Sequence, residues 1–355
     1  MKKLLVLFSL TTSQLFAASI GYWQVPLNLN ASQLTSGTVP TNVLPGALPT
    51  LSTWNGGGVL TNAASPSYIL LTNWSTSTTL ATNITIPSWC RVVVIECLGG
   101  GGSGASGMVG AAGTVRSGGS GGAGGSFSTR KFQKSSFWTN NLYCSVSPIA
   151  IGAAGQTTNS TPGIAGASGA STFVYIGNAS SATNLILRAV GGGGGVGGDS
   201  DGSSGGAPGA FGMWPGGSGG ASSSTGGVGT SPTTIYSPAG RGGGAGGGIS
   251  TGDVPAAGGV GMYNNAAGSG SPLSGGAING AAVPSWATSL TAYDYGVFGG
   301  HGAAGSGGAT NIVSAAGGSG EFVGSGGGGS GGGLNGFGSG PGGNGGSGAI
   351  SISFL

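Results

Sequence analysis

The run Cys90-Arg91-Val92-Val93-Val94-Ile95-Glu96-Cys97-Leu98 passes directly into Gly99-Gly100-Gly101-Gly102-Ser103-Gly104-Ala105-Ser106-Gly107, and the tract closes at Gly124-Gly125-Ser126-Phe127. Within it glycine falls at 101, 104, 107, 110, 113, 119, 122 and 125, and only Arg116 interrupts the three-residue step. Polyproline II geometry repeats every three residues without internal hydrogen bonds, so every third residue faces the same way. A row of glycine on one edge lets a second backbone approach closely. The stretch therefore predicts one rod of a polyglycine-II-type helical bundle planted on a β-sheet.

Composition supports ordered glycine. Of 355 residues, 87 are Gly, 37% are hydrophobic and only 4% are charged. A disordered soluble chain usually combines low hydrophobicity with high net charge, which is the opposite balance. Ordering glycine costs more backbone entropy than ordering any other residue, so folded glycine tracts need hydrogen-bonded neighbours. The competing reading is a set of mobile glycine/serine linkers between strands. Collagen is excluded, because 16 Pro is far below what a triple helix needs and the Gly register resets repeatedly.

The strands are read from short β-rich runs. Tyr68–Leu71, Asn83–Ile86, Arg91–Leu98, Phe127–Phe132, Leu142–Val146, Thr172–Ile176 and Leu185–Val190 form the series, with Arg91–Leu98 apolar on both faces. Ala349–Phe354 alternates, with Ile350, Ile352 and Phe354 on one face and serines on a side expected to be wet. Further glycine runs in three-residue step occur at 163, 166 and 169, at 299 to 308, and at 333 to 348, where Ser339 interrupts. Prolines at 208, 215, 232, 238, 255 and 272 divide the middle into short rods.

At the N-terminus, Met1-Lys2-Lys3 followed by Leu4-Leu5-Val6-Leu7-Phe8 has the form of a secretory leader, with Leu15-Phe16-Ala17-Ala18 as an imperfect cleavage site. Residues 1–18 are expected to be a signal peptide, or else the apolar start of a structural protein. Residues 19–83 are expected to form an extended connector or assembly segment, charge-free and broken by Pro40, Pro45 and Pro49. Residues 84–355 form the glycine-rich domain. No later run approaches the roughly 18 apolar residues of a membrane-spanning helix. The formal charge of +3 is not clustered beyond Arg130, Lys131 and Lys134, which argues against nucleic acid.

Cys90, Cys97 and Cys144 are an odd number, so one disulfide plus one thiol, or three buried thiols, are both open. A Cys97–Cys144 bridge between adjacent strands is the pairing expected if one forms.

The order Ile84-Thr85-Ile86-Pro87, then Val92 to Cys97 into Gly99-Gly100-Gly101-Gly102, resembles the glycine-rich domain of bacteriophage tail fibres and their tip adhesins. Gly124-Gly125-Ser126-Phe127 leading into a basic strand, Tyr143-Cys144-Ser145-Val146, and the closing Gly345-Gly346-Ser347-Gly348-Ala349-Ile350 extend the likeness over about residues 84 to 355. The segment Asn30 to Pro40 is similar to links between fibre modules. The resemblance implies a rigid extracellular protein that contacts a bacterial surface receptor or glycan, and self-associates or attaches to a fibre. The leader departs from it, since tail fibres are not exported, and this keeps open a secreted bacterial fibre-forming subunit that polymerises through its N-terminal segment.

Catalytic and ligand chemistry is sparse. His301 is the only histidine and has no nucleophile motif near it in sequence. Asp199 and Asp201 could supply oxygen ligands, but a calcium site needs several more. No Gly-Lys-Ser or Gly-Lys-Thr occurs to cradle phosphate. A non-enzymatic protein without cofactor or metal is expected. The binding candidates are aromatics at rod tips, Trp214, Tyr236, Trp286, Tyr293 and Tyr295, which could stack on sugar rings or plug gaps between rods. The expected fold is an antiparallel β-sandwich-like framework carrying the polyglycine-II bundle.

Overall fold

The computed structural model describes residues 59–61, 68–73, 75, 78–137, 139–157, 162–202, 205–207, 209, 212–231, 238–261, 275–279, 303–320 and 323–355. The expected signal peptide and the connector up to residue 58 lie outside them. Eleven strands are present among these residues: β1 (Val59–Thr61), β2 (Tyr68–Thr72), β3 (Leu80–Thr85), β4 (Val92–Leu98), β5 (Val109–Gly110), β6 (Phe127–Gln133), β7 (Asn141–Val146), β8 (Thr172–Ile176), β9 (Leu185–Ala189), β10 (Gly333–Leu334) and β11 (Ala349–Phe354).

Two antiparallel sheets make the framework, one in the order β1-β2-β11-β4-β6 and the other β3-β7-β8-β9. Alternation in sequence decides which side chains meet between them. Val93, Ile95 and Cys97 of β4, Ile350, Ile352 and Phe354 of β11, Leu142, Cys144 and Val146 of β7, and Val174 of β8 form one buried core. Each such aliphatic side chain contributes about 1.5–3 kcal/mol when fully buried, which anchors the glycine segments to a conventional hydrophobic base. This is the sandwich-like framework that the sequence predicts.

The strand faces differ from expectation in two places. The outward side chains of β4, Val92, Val94 and Glu96, are only half-buried, so this strand is covered on one face and partly on the other. The serine face of β11 is not wet, since Ser351 is 2% exposed. The strand is central, paired with β2 on one side and β4 on the other, and a second cluster of Leu98, Phe127, Ala239 and Ala349, with Leu70 and Val323 against it, covers that face. β1, β2 and most of β3 precede residue 84, so the last part of the expected connector supplies strands to both sheets.

The expected helical bundle is not found. Among the described residues there is no α-helix, and the only helical pieces are single 3-10 turns at Lys134–Ser136 and Ala182–Asn184. The reason lies in where the glycine amides point. α- and 3-10 helices close hydrogen bonds within their own segment, whereas here the amides leave their segment for another one. Gly99, Gly102, Ala105 and Met108 donate to the carbonyls of Ser126, Ala123, Ser120 and Ser117, at 2.8–3.0 Å. On its other side the returning segment bonds a third, Gly119, Gly122 and Gly125 donating to Ser330, Gly327 and Gly324. A fourth joins through Gly240, Gly243 and Gly246, which donate to Gly125, Gly122 and Gly119. The three-residue step of the sequence thus spaces cross-links between extended segments. Mobile linkers between strands are not what these residues form.

Candidate functional site

The glycine segments leave the sandwich from one end. β4, β7 and β9 finish there at Leu98, Val146 and Ala189, and β6, β8 and β11 start there at Phe127, Thr172 and Ala349. Segments 99–108 and 117–126 are antiparallel partners, so the turn between them lies at the far end. Bonds from these two, and from the segments bonded to them, place the other far turns at 199–202, 223–226, 250–254, 310–313 and 334–338. At this end β5 and β10 pair in parallel through Val109–Gly110 and Gly333–Leu334.

Glycine permits the spacing. A Cβ on Gly122 would come within 3.0 Å of the Gly102 carbonyl, and one on Gly104 would do the same to the carbonyl of Gly328. Serine occupies the neighbouring register and performs a different task. Ser117 Oγ donates to the carbonyl of Asp199 at 2.6 Å and accepts from the amide of Asp199 at 2.7 Å. Ser120 does the same with Val196, at 3.1 and 2.6 Å, and Ser126 with Val190, at 3.1 and 2.7 Å. Ser103 with Ala167 follows the pattern. Each hydroxyl satisfies both backbone groups of one residue on the adjacent segment, so buried polar atoms stay paired. The signal lies in the sequence as serines in the three-residue register at 103 and 106 and at 117, 120 and 126, with Ala123 between the last two.

At the far end one charge pair fixes the turn. Arg116, the interruption of the glycine step, is fully buried and donates to Asp253 Oδ1 at 2.5 Å, to the carbonyl of Ala111 at 3.0 Å and to that of Ser250 at 3.2 Å. Asp253 sits at a φ of 56°, in the left-handed region that Asp tolerates better than most residues, and accepts also from the Gly113 amide. The hydrogen bond from Arg116, then that from Gly113, holds its carboxyl below the usual carboxylate range. Arg116 and Ile249 bond through their backbones in both directions, at 3.0 and 2.8 Å. The tip of one hairpin is thereby clamped to the turn of another.

Around this clamp the far turns expose apolar side chains. Val254 is 63% and Val313 57% exposed, and Ile278, Ile312 and Phe337 are exposed as well. Among the described residues these, with Asp199 and Asp201, lie toward the end of the glycine segments away from the sheets. Asp201 donates its amide to Asp199 Oδ1 at 2.9 Å, so the pair shapes a turn. No group of three His, Cys, Asp or Glu residues comes together among the described residues.

Of the aromatics expected at the tips, Trp214 is the one among the described residues, and it does not lie at a far turn. Trp214 is exposed, but its backbone pairs with Phe127 at 2.9 and 3.0 Å, at the sheet end of its segment. Tyr236, Trp286, Tyr293, Tyr295 and His301 lie outside the described residues. Cys97 and Cys144 face one another's sheet in the core, as the strand faces predict, yet both are free thiols, as is Cys90. The bridge expected between Cys97 and Cys144 is therefore not formed in this structure. Burial pushes the Cys144 thiol up to about 12 and raises that of Cys97 well above its ordinary value.

A family model described as a glycine-rich domain matches residues 76–355. The chain belongs to the glycine-rich domain family. The matched span takes in all but β1, β2 and the described residues up to 75, so the glycine-rich domain comprises nearly the whole framework and all the cross-linked segments. The sequence matches none of the curated proteins with which it was compared. No helix among the described residues is long and apolar enough to cross a membrane.

Proposed function

We propose that this glycine-rich domain protein is an extracellular, non-enzymatic adhesin that meets a bacterial surface receptor or glycan through the turns at the far end of its glycine segments. The observation that carries the reading is the clamped, apolar surface at that end. Cross-linked backbone holds the turns in place before a partner arrives, which lowers the ordering cost of binding. Exposed Val254, Ile312, Val313 and Phe337 supply apolar contact area there. The resemblance to tail-fibre tip domains and the form of residues 1–18 support an extracellular setting.

The test is binding of the labelled full chain to a panel of bacterial strains. Changing Val254, Ile312, Val313 and Phe337 together to Ser is expected to lower binding at least tenfold while circular dichroism stays unchanged. Equal binding by the variant, or retention on no strain by the parent, overturns the reading.

A further inference from the structure

The outer face of the β3-β7-β8-β9 sheet carries an aromatic row that the distal surface does not use. Tyr143 and Tyr175 are directly paired across β7 and β8, with ring centroids 6.0 Å apart. Phe173, two residues along β8 and on the same face, stacks on Tyr175 at 5.9 Å with an interplanar angle of 29°. Arg188 of β9 is paired with Phe173 and places its guanidinium over that ring, 5.5 Å from the centroid. Ser145 lies opposite Phe173, and Asn83 opposite Tyr143. The three rings are half-buried, whereas Ala81, Asn83, Thr85 and Arg188 are exposed, so this face is wet.

Arg188 is the only charged residue on these four strands. Among the described residues the ion pair present is Arg116–Asp253, which leaves Arg188 with its ring contact and no carboxylate. A lone guanidinium beside a stack of rings calls for an anionic group on a ligand with an apolar face.

Size decides what kind of ligand. Four strands spaced about 4.8 Å apart, with about five residues at about 3.4 Å each, give a face of roughly 300 Å². A stable protein interface takes about 800 Å² from each partner, so the face is too small for one. A nucleic acid strand needs a cluster of cations, and here there is one. We infer that this sheet face is a binding site for an acidic sugar, whose ring stacks on Tyr175 and its neighbours, whose carboxylate takes the Arg188 fork, and whose hydroxyls reach Asn83 and Ser145. Sugar rings present C–H faces to aromatic planes while their hydroxyls stay in water, which suits a half-exposed row of rings with polar side chains at its margin. The site stands apart from the far turns and does not depend on them.

The experiment uses the full chain on an immobilised panel of uronate- and sialate-containing oligosaccharides, with neutral oligosaccharides of equal length beside them. Retention on acidic members above neutral ones is expected. Arg188→Gln and Tyr175→Ala should each weaken it at least tenfold, Arg188→Lys less, and Lys131→Gln on β6 of the other sheet not at all. Tyr175→Phe keeps the ring, and should retain most of the binding if stacking is what matters. Retention on no acidic oligosaccharide, retention unaffected by Arg188→Gln and Tyr175→Ala, or loss equal to that of Lys131→Gln overturns the site. Loss of binding in the four-residue change at the far turns, with Arg188→Gln without effect, assigns glycan contact to the far turns instead.

Discussion

Gly122→Ala probes the packing of the glycine segments at a position where four of them meet. The Gly122 amide donates to Gly327 and its carbonyl accepts from Gly243, both at 2.8 Å. The added Cβ would fall within 3.0 Å of the Gly102 carbonyl and of the Ser103 oxygen. Those oxygens are engaged, Gly102 accepting from Gly327 and Ser103 from Gly195, each at 2.9 Å. Relief requires segments 99–108 and 117–126 to separate, which loosens both of these bonds and the one from Gly102 to Ala123. Three bonds at about 0.5–1.5 kcal/mol each agree with the range of about 1–3 kcal/mol for overpacking a filled interior. The gain from restricting the unfolded chain offsets only about 0.4–1 kcal/mol. A net loss of about 1–3 kcal/mol is expected, seen as a drop in Tm of about 2–10 °C by circular dichroism at a common scan rate. Gly252→Ala is the companion, because a Cβ there meets nothing closer than 3.8 Å. Its expected change is within about 0.5 kcal/mol, as for ordinary surface sites. Equal melting of the two variants would refute the reasoning.

Other consequences follow from named contacts. Ser120→Ala removes the hydroxyl that serves both the amide and the carbonyl of Val196, and should cost about 1–3 kcal/mol by urea titration, more than Ser181→Ala on an exposed turn. Arg116→Ala should cost about 2–4 kcal/mol, since it removes donors to Ala111 and Ser250 as well as to Asp253. Asp253 has a lowered carboxyl pKa in the folded state. Its contribution is therefore complete above its unfolded value of about 3.8 and is lost as pH falls through the lower folded value. Asp253→Asn should flatten that part of the acid-stability profile. Cys97 and Cys144, buried with raised thiol pKa values, should resist a thiol reagent at pH 8 in the native protein and react after denaturation.

Much of the framework was legible from alternation alone. Thr172–Ile176 and Ala349–Phe354 were read to the residue, because β-branched and aromatic residues at two-residue spacing next to glycine leave little choice. The wet face assigned to β11 failed because Ser351 is small, and small polar residues are buried where a strand lies centrally in a sheet. The two-residue strands β5 and β10 carry no pattern of their own and exist only because segments 224 residues apart in the chain come together at the far end. The glycine period was visible, but a period gives a facing direction and not the partner of each amide. That is how a step that spaces cross-links was read as a helix. The Arg116–Asp253 clamp was marked in sequence only by the broken register at Arg116, and the aromatic row on the second sheet needed the register of β7 against β8 to assemble it.

Amide hydrogen exchange followed residue by residue tests the account most directly, since the proposed role of the far turns assumes that the glycine segments are bonded to one another. The amides of Gly102, Gly122, Gly243 and Gly327 are expected to exchange as slowly as those of β4 and β11, with Gly252 exchanging freely in its exposed turn. Exchange of these four at the rate of an unstructured peptide, while β4 and β11 remain protected, would contradict it.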